Sequence, residues 1–143
     1  MDVERAGALR EAWFSAHHEG EVPPPDAGRA VERALIARVP EPDAAAVLPG
    51  GDGRPLVAVL AGRVLFFVWA VGATAAVPDA VRCRRVPLAP ETVIEVSERV
   101  DDERTVRHWW FEVEEDPLIF RTVGEDDAER FARALAAALG WSD

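Results

Sequence analysis

His17 and His18, followed by Glu19, are the first residues in the chain whose types suit metal chemistry. Two imidazoles share an ion when they lie on one helix face, four residues apart. Adjacent helical positions diverge by about 100°, so this pair reads as a solvated helix end. Asp101-Asp102-Glu103 offers three carboxylates. Calcium loops, however, spread their oxygens over about a dozen residues around a glycine turn. Three acids in succession read instead as a polar hairpin tip, so no metal site is expected. Arg82, Arg84 and Arg85 form the one local basic run. On a strand, Arg82 and Arg84 share a face while Cys83 and Arg85 share the other. With Cys83 turned inward, Arg82 and Arg84 are exposed. They are candidate contacts for a phosphate or an acidic peptide, in competition with cross-strand carboxylates of the same chain.

Nucleophiles are scarce. None of Ser15, Ser97 and Ser142 stands in a G-x-S-x-G context, and Cys83 has no histidine or aspartate beside it. A lone cysteine in such surroundings behaves as a small apolar residue. The glycine-rich stretch from Pro49 to Gly53 leads into a strand pattern, whereas phosphate cradles lead into a helix N-terminus. The expectation is a chain that is not an enzyme and binds no cofactor.

Composition narrows the partners. The 143 residues carry 26 acids against 16 bases, a formal charge of −10, and every base is arginine. Lysine, asparagine, glutamine and tyrosine are missing. The abundant alanine, valine, arginine, glycine and proline are what GC-rich codons specify, which points to a high-GC bacterial genome. Net negative charge repels polyanions at long range, so nucleic acid and anionic lipid are not expected partners. The longest apolar run, Val64 to Ala76, is well short of the roughly 20 residues a spanning helix needs, and no membrane insertion is expected. A single cysteine suits a reducing compartment. The acidic N-terminus lacks the basic-then-apolar layout of an export signal. A cytoplasmic location is the resulting expectation.

The elements that must position these residues fall into two parts. Asp2 to His18 has a helical apolar stripe through Leu9, Trp13 and Ala16. Gly20 and Pro23-Pro24-Pro25 end it. Asp26 then reads as an N-cap before a second helix carrying Val31, Leu35 and Val39. Residues 1–49 are therefore expected to form a helical extension, and 54–143 a β domain. From Leu56 the run LVAVLAGRVLFFVWAV splits at Ala61-Gly62-Arg63 into a hairpin. AVRCRRVPL, ETVIEVSERV, RTVRHWWFEV and PLIFRTV follow as further strands. EDDAERFARALAAALGW closes the chain as a helix whose first turn is acidic and whose row Phe131, Leu135, Ala138 and Leu139 is apolar. Its place is over the open mouth of the sheet.

Three of these pieces, AGRVLFF, VPLAPETVIEV and PLIFRTVGEDDAERFARALAAAL, together resemble the bacterial pleckstrin-homology-like (PH-like) domains, a group that includes GRAM-type domains. The resemblance spans Leu56 to Trp141. It implies an α+β fold, an antiparallel β-barrel or sandwich capped by the C-terminal helix, here preceded by two N-terminal helices. It also implies a binding module for a lipid headgroup, a peptide or another protein. The basic loop cluster of phosphoinositide-binding members has one arginine here, Arg63, so headgroup binding does not carry over.

Trp109 and Trp110 are the remaining oddity. Neighbouring strand residues point to opposite faces, so Trp109 enters the core with Phe111 while Trp110 faces out beside His108 and Val106, with Val93 near. A wet indole of that size costs on the order of 2 kcal/mol relative to burial. The expected cover is the N-terminal helices, with Trp13 and Leu9, or else a second copy or another protein. His108, Trp110, Val106 and Trp13 are thus the candidate partner-binding residues. The function expected is a non-catalytic protein-binding or adaptor module of the bacterial cytoplasm. An acidic inhibitor or chaperone masking a basic partner is the alternative, and a small-ligand or lipid-headgroup binder the third.

Overall fold

PLVAVLA and VLFFVWA are apolar at consecutive positions rather than alternate ones. A strand of that kind needs cover on both faces. In the computed structural model, which describes residues 1–16, 25–50, 55–70, 81–88, 94–111, 118–123 and 127–140, both faces are covered. Strands β1 (Ala44–Pro49), β2 (Pro55–Ala61), β3 (Val64–Ala70) and β4 (Val81–Pro87) form one antiparallel sheet in chain order. Strands β5 (Ile94–Asp101), β6 (Arg104–Phe111) and β7 (Leu118–Val123) form a second. Helices α1 (Val3–Ser15), α2 (Pro25–Arg38) and α3 (Asp127–Ala138) complete an α+β fold among the described residues. His17, His18, Glu19 and Val93 lie outside them.

Helix α1 begins where Asp2, as N-cap, accepts a hydrogen bond from the Arg5 backbone N–H at 2.7 Å. Helix α2 begins at Pro25, two residues before the start that Asp26 as N-cap implies. Proline has its φ preset for a first helical turn and lacks the N–H that would go unused there, so Asp26 lies inside that turn. Together the two helices lay Trp13, Val31 and Leu35 onto Val57, Val59, Phe66 and Val68 of the first sheet. The expectation that they cover Trp110 is corrected here. Their apolar rows go to the back of β2 and β3, which offers far more apolar area to remove from water than one indole does.

The two sheets face each other across a second core. Leu65 and Phe67 from the first sheet meet Trp109, Phe111 and Phe120 from the second, and α3 adds Phe131 and Leu135. Phe120 is central to it, with ring centroids 5.5 Å from Phe67, 5.6 Å from Phe111, 5.9 Å from Trp109 and 6.3 Å from Phe131. The C-terminal helix, packed against β1, β2 and β7, buries Phe131 and Leu135 as its apolar row requires. Among the described residues the strands do not close into a barrel. The described strands join across sheets at one bridge, Gly50 to Phe120. Elsewhere the stack of rings holds the sheets apart as facing layers.

β1 occupies the last six residues of the span read as helical extension, pairing from Ala44 opposite Leu60 to Pro49 opposite Pro55. Asp43, just before it, accepts the Gly62 N–H at 2.7 Å and donates its own N–H to Leu60 at 2.8 Å. These bonds tie the strand's start to the β2–β3 turn. That turn has Gly62 at φ 62°, the left-handed region a tight hairpin demands. The β5–β6 turn makes the same demand of Asp102 (φ 49°) and Glu103 (φ 64°), neither of them glycine. Left-handed backbone costs an L-residue about 1–2 kcal/mol. Glu103→Gly therefore raises the unfolding free energy by about 1 kcal/mol and Gly62→Ala lowers it by a similar amount. Urea midpoints at unchanged m-value read both.

Candidate functional site

The second sheet sends one face toward the core and the other toward water, and the end of β6 shows it: Trp109 and Phe111 are buried and Trp110 between them is exposed. Trp109 is 2% exposed and Trp110 is 45% exposed, the division that strand geometry predicts. What holds the pair in this register is Trp109. Its ring stacks on Phe120 at 8° between planes, and its Nε1 donates to the Thr122 hydroxyl at 3.0 Å. Thr122 is the buried polar residue of this core. Thr122→Val keeps the shape and takes away that acceptor, so stability falls by about 1–3 kcal/mol. A chemical melt with unchanged m-value measures it, and a neutral result removes Thr122 from the account of how Trp110 is aimed.

Directly opposed residues of an antiparallel pair share a face, so the outer surface is a set of rows across β5, β6 and β7. The first row is Glu95, Trp110 and Ile119; the second is Ser97, His108 and Arg121; the third is Arg99 and Val106. Glu95 and Ser97 are exposed, His108 and Arg121 half-buried, and Ile119 is 37% exposed beside Trp110. A depression of about 410 Å³ is lined by Glu95, Ser97, His108, Trp110 and Ile119 and reaches Val96 and Trp109.

Of the four residues expected to meet a partner, two come together here. His108 and Trp110 share the depression. Val106 shares their face but is only 8% exposed, so it supports the surface more than it offers one. Trp13 belongs elsewhere: it is 1% exposed between α1, α2 and the first sheet. Ile119 was not anticipated. Once Phe120 is placed in the core, the alternation of PLIFRTV turns Ile119 outward, and that signal was available in the sequence.

Arg82 and Arg84 stand apart from this face. They oppose Trp69 and Phe67 on the inter-sheet side of β4, with Arg82 exposed and Arg84 half-buried. Cys83 does turn inward, but into the layer under the N-terminal helices. The first sheet is covered on both sides, so "inward" has two directions, and the side opposite Cys83 is the one that also carries core Val86. Burial pushes the Cys83 thiol up from its ordinary range, and the charge of Arg38 opposes this in part. The thiol is protonated at neutral pH and packs as an apolar group.

Charged groups on the inner face of the second sheet, centred on Arg107 of β6, tie it to α3. Arg107 pairs with Glu98 at 2.6 Å and reaches Glu129 at 3.9 Å, and Glu129 is 3.7 Å from Arg133. No helix among the described residues is long and apolar enough to cross a membrane. Comparison with protein-family models, curated proteins and solved structures returned no match.

Proposed function

We propose that the chain is a non-catalytic protein-binding module of the bacterial cytoplasm, a PH-like domain carrying two N-terminal helices. One observation carries this reading: Trp110 is 45% exposed on the solvated face of a sheet, beside an exposed Ile119 and above a depression shared with His108. Tryptophan is the side chain most enriched among residues that dominate protein interfaces. Trp109, Phe111 and Phe120, buried on the other face of the sheet directly beneath, give it a rigid support. The order of two antiparallel meanders followed by one helix supports the PH-like part of the reading. A net charge of −10 favours a second reading, an acidic inhibitor or chaperone that masks a basic partner.

Immobilised protein exposed to native cytosol is expected to retain a partner, identified by mass, that Trp110→Ala loses at least roughly tenfold. Val100→Ala, a change at a more exposed apolar residue at the hairpin end, retains it. Equal retention by wild type and Trp110→Ala would remove this face from the proposal. Retention that vanishes in moderate salt but ignores Trp110 favours the mask.

A further inference from the structure

We infer that the depression beside Trp110 receives a cationic side chain, an arginine projecting from the partner protein, between the indole face and the Glu95 carboxylate. This deepens the protein-binding reading and rests on it.

Glu95 is directly opposite Trp110 in the β5–β6 register, which places their Cβ atoms about 5 Å apart. Glu95 is exposed and has no ion-pair partner among the described residues. An indole face and a free carboxylate side by side are the two groups that attract a cation, the first through its quadrupole and the second through its charge. Ile119 walls the other side of the indole and Ser97 adds a hydroxyl at the rim. Guanidinium fits this pair better than ammonium does. It is planar, stacks on an aromatic ring and donates two parallel N–H groups to one carboxylate.

The surroundings set what else the occupant carries. Arg121 opposes His108 one row away, so a second cation next to the first is repelled. A single arginine with neutral or acidic neighbours suits the face. A second copy of the chain does not, because each copy carries −10 and like charge opposes encounter.

The test uses the full chain, labelled with ¹⁵N, and follows the Trp110 indole N–H signal, assigned by its loss in Trp110→Phe. The probe is a nine-residue glycine-serine peptide with one central arginine. The control peptide has citrulline there, which keeps the planar shape and removes the charge. Expected is a saturable shift with the arginine peptide at low salt, weakened at least fivefold by citrulline and by Glu95→Gln. Glu103→Gln, at the distant hairpin tip, leaves it unchanged. Equal binding of the citrulline peptide overturns the inference. So does equal weakening by Glu95→Gln and Glu103→Gln, which would mean general charge attraction, and so does the absence of any saturable shift at millimolar peptide. If partner capture still depends on Trp110 while the arginine peptide gives no response, this inference fails and the protein-binding reading stands.

Discussion

Replacing Phe120 by alanine lowers the unfolding free energy by about 4 kcal/mol, in the range that loss of a buried phenylalanine costs. The reason is its position among four other rings, Phe67, Trp109, Phe111 and Phe131, contributed by both sheets and α3. Each of those rings loses a contact face at once, and none can close the gap without leaving its own strand register or helix row. Domains of this size have about 5–15 kcal/mol in total, so the variant keeps its fold with little reserve. Its melting temperature falls by roughly 12 °C at about 3 °C per kcal/mol. Phe120→Leu, which leaves most of the volume, costs about 1–1.5 kcal/mol. Urea denaturation with unchanged m-value gives both numbers. A loss below about 1.5 kcal/mol for the alanine variant would mean that the sheets are not held together through this ring.

The same cluster shows why parts of the fold were legible in the sequence and others not. RTVRHWWFEV alternates, so the opposite fates of Trp109 and Trp110 follow from strand geometry alone. The α3 row Phe131 and Leu135 follows from helical spacing in the same way. Both are local patterns. β1 was missed because AAAVLP has low strand propensity and ends in proline; it becomes a strand by pairing with β2 and by packing Ala46 and Leu48 into the inter-sheet core. The choice between barrel and sandwich was open in the sequence for a related reason. Whether two edges meet depends on the size of the rings between the sheets, which no single strand reports.

For the site, the legible part was the outward indole and His108. Glu95 and Ser97 share a face of their strand by simple alternation, but their pairing opposite Trp110 and His108 is a matter of register. Register between separate strands is set by the turn, here the strained pair Asp102-Glu103. Trp13 was assigned to the wrong surface through one inference that went unused. PLVAVLA and VLFFVWA lack alternation, and a strand apolar on both faces needs a second layer of cover. The N-terminal helices were the only amphipathic elements left to supply it once α3 had closed the other core. Drawn out, that reasoning would have sent them to β2 and β3 and left Trp110 bare.

The placement of the helices has a direct consequence for the two tryptophans that were expected to meet. Trp13→Ala and Trp110→Ala are chemically the same change, yet the first is expected to cost about 4 kcal/mol and the second under about 1 kcal/mol. Trp13 is 1% exposed, stands edge-on to Phe14 at 5.4 Å, and packs with Val31 and Leu35 over the back of the first sheet. Removing it opens a cavity between two helices and a sheet, and uncovers Val57, Val59, Phe66 and Val68. The Trp13 variant should therefore bind an apolar dye or self-associate near its midpoint, whereas the Trp110 variant should become more soluble as it loses a wet indole. Paired urea melts of the two variants decide the matter. Equal costs would mean that something in the chain covers Trp110, and the surface on which the binding proposal stands would then not be free. A large difference leaves Trp13 as the residue that seals the helical layer and Trp110 as the one held outward for a partner.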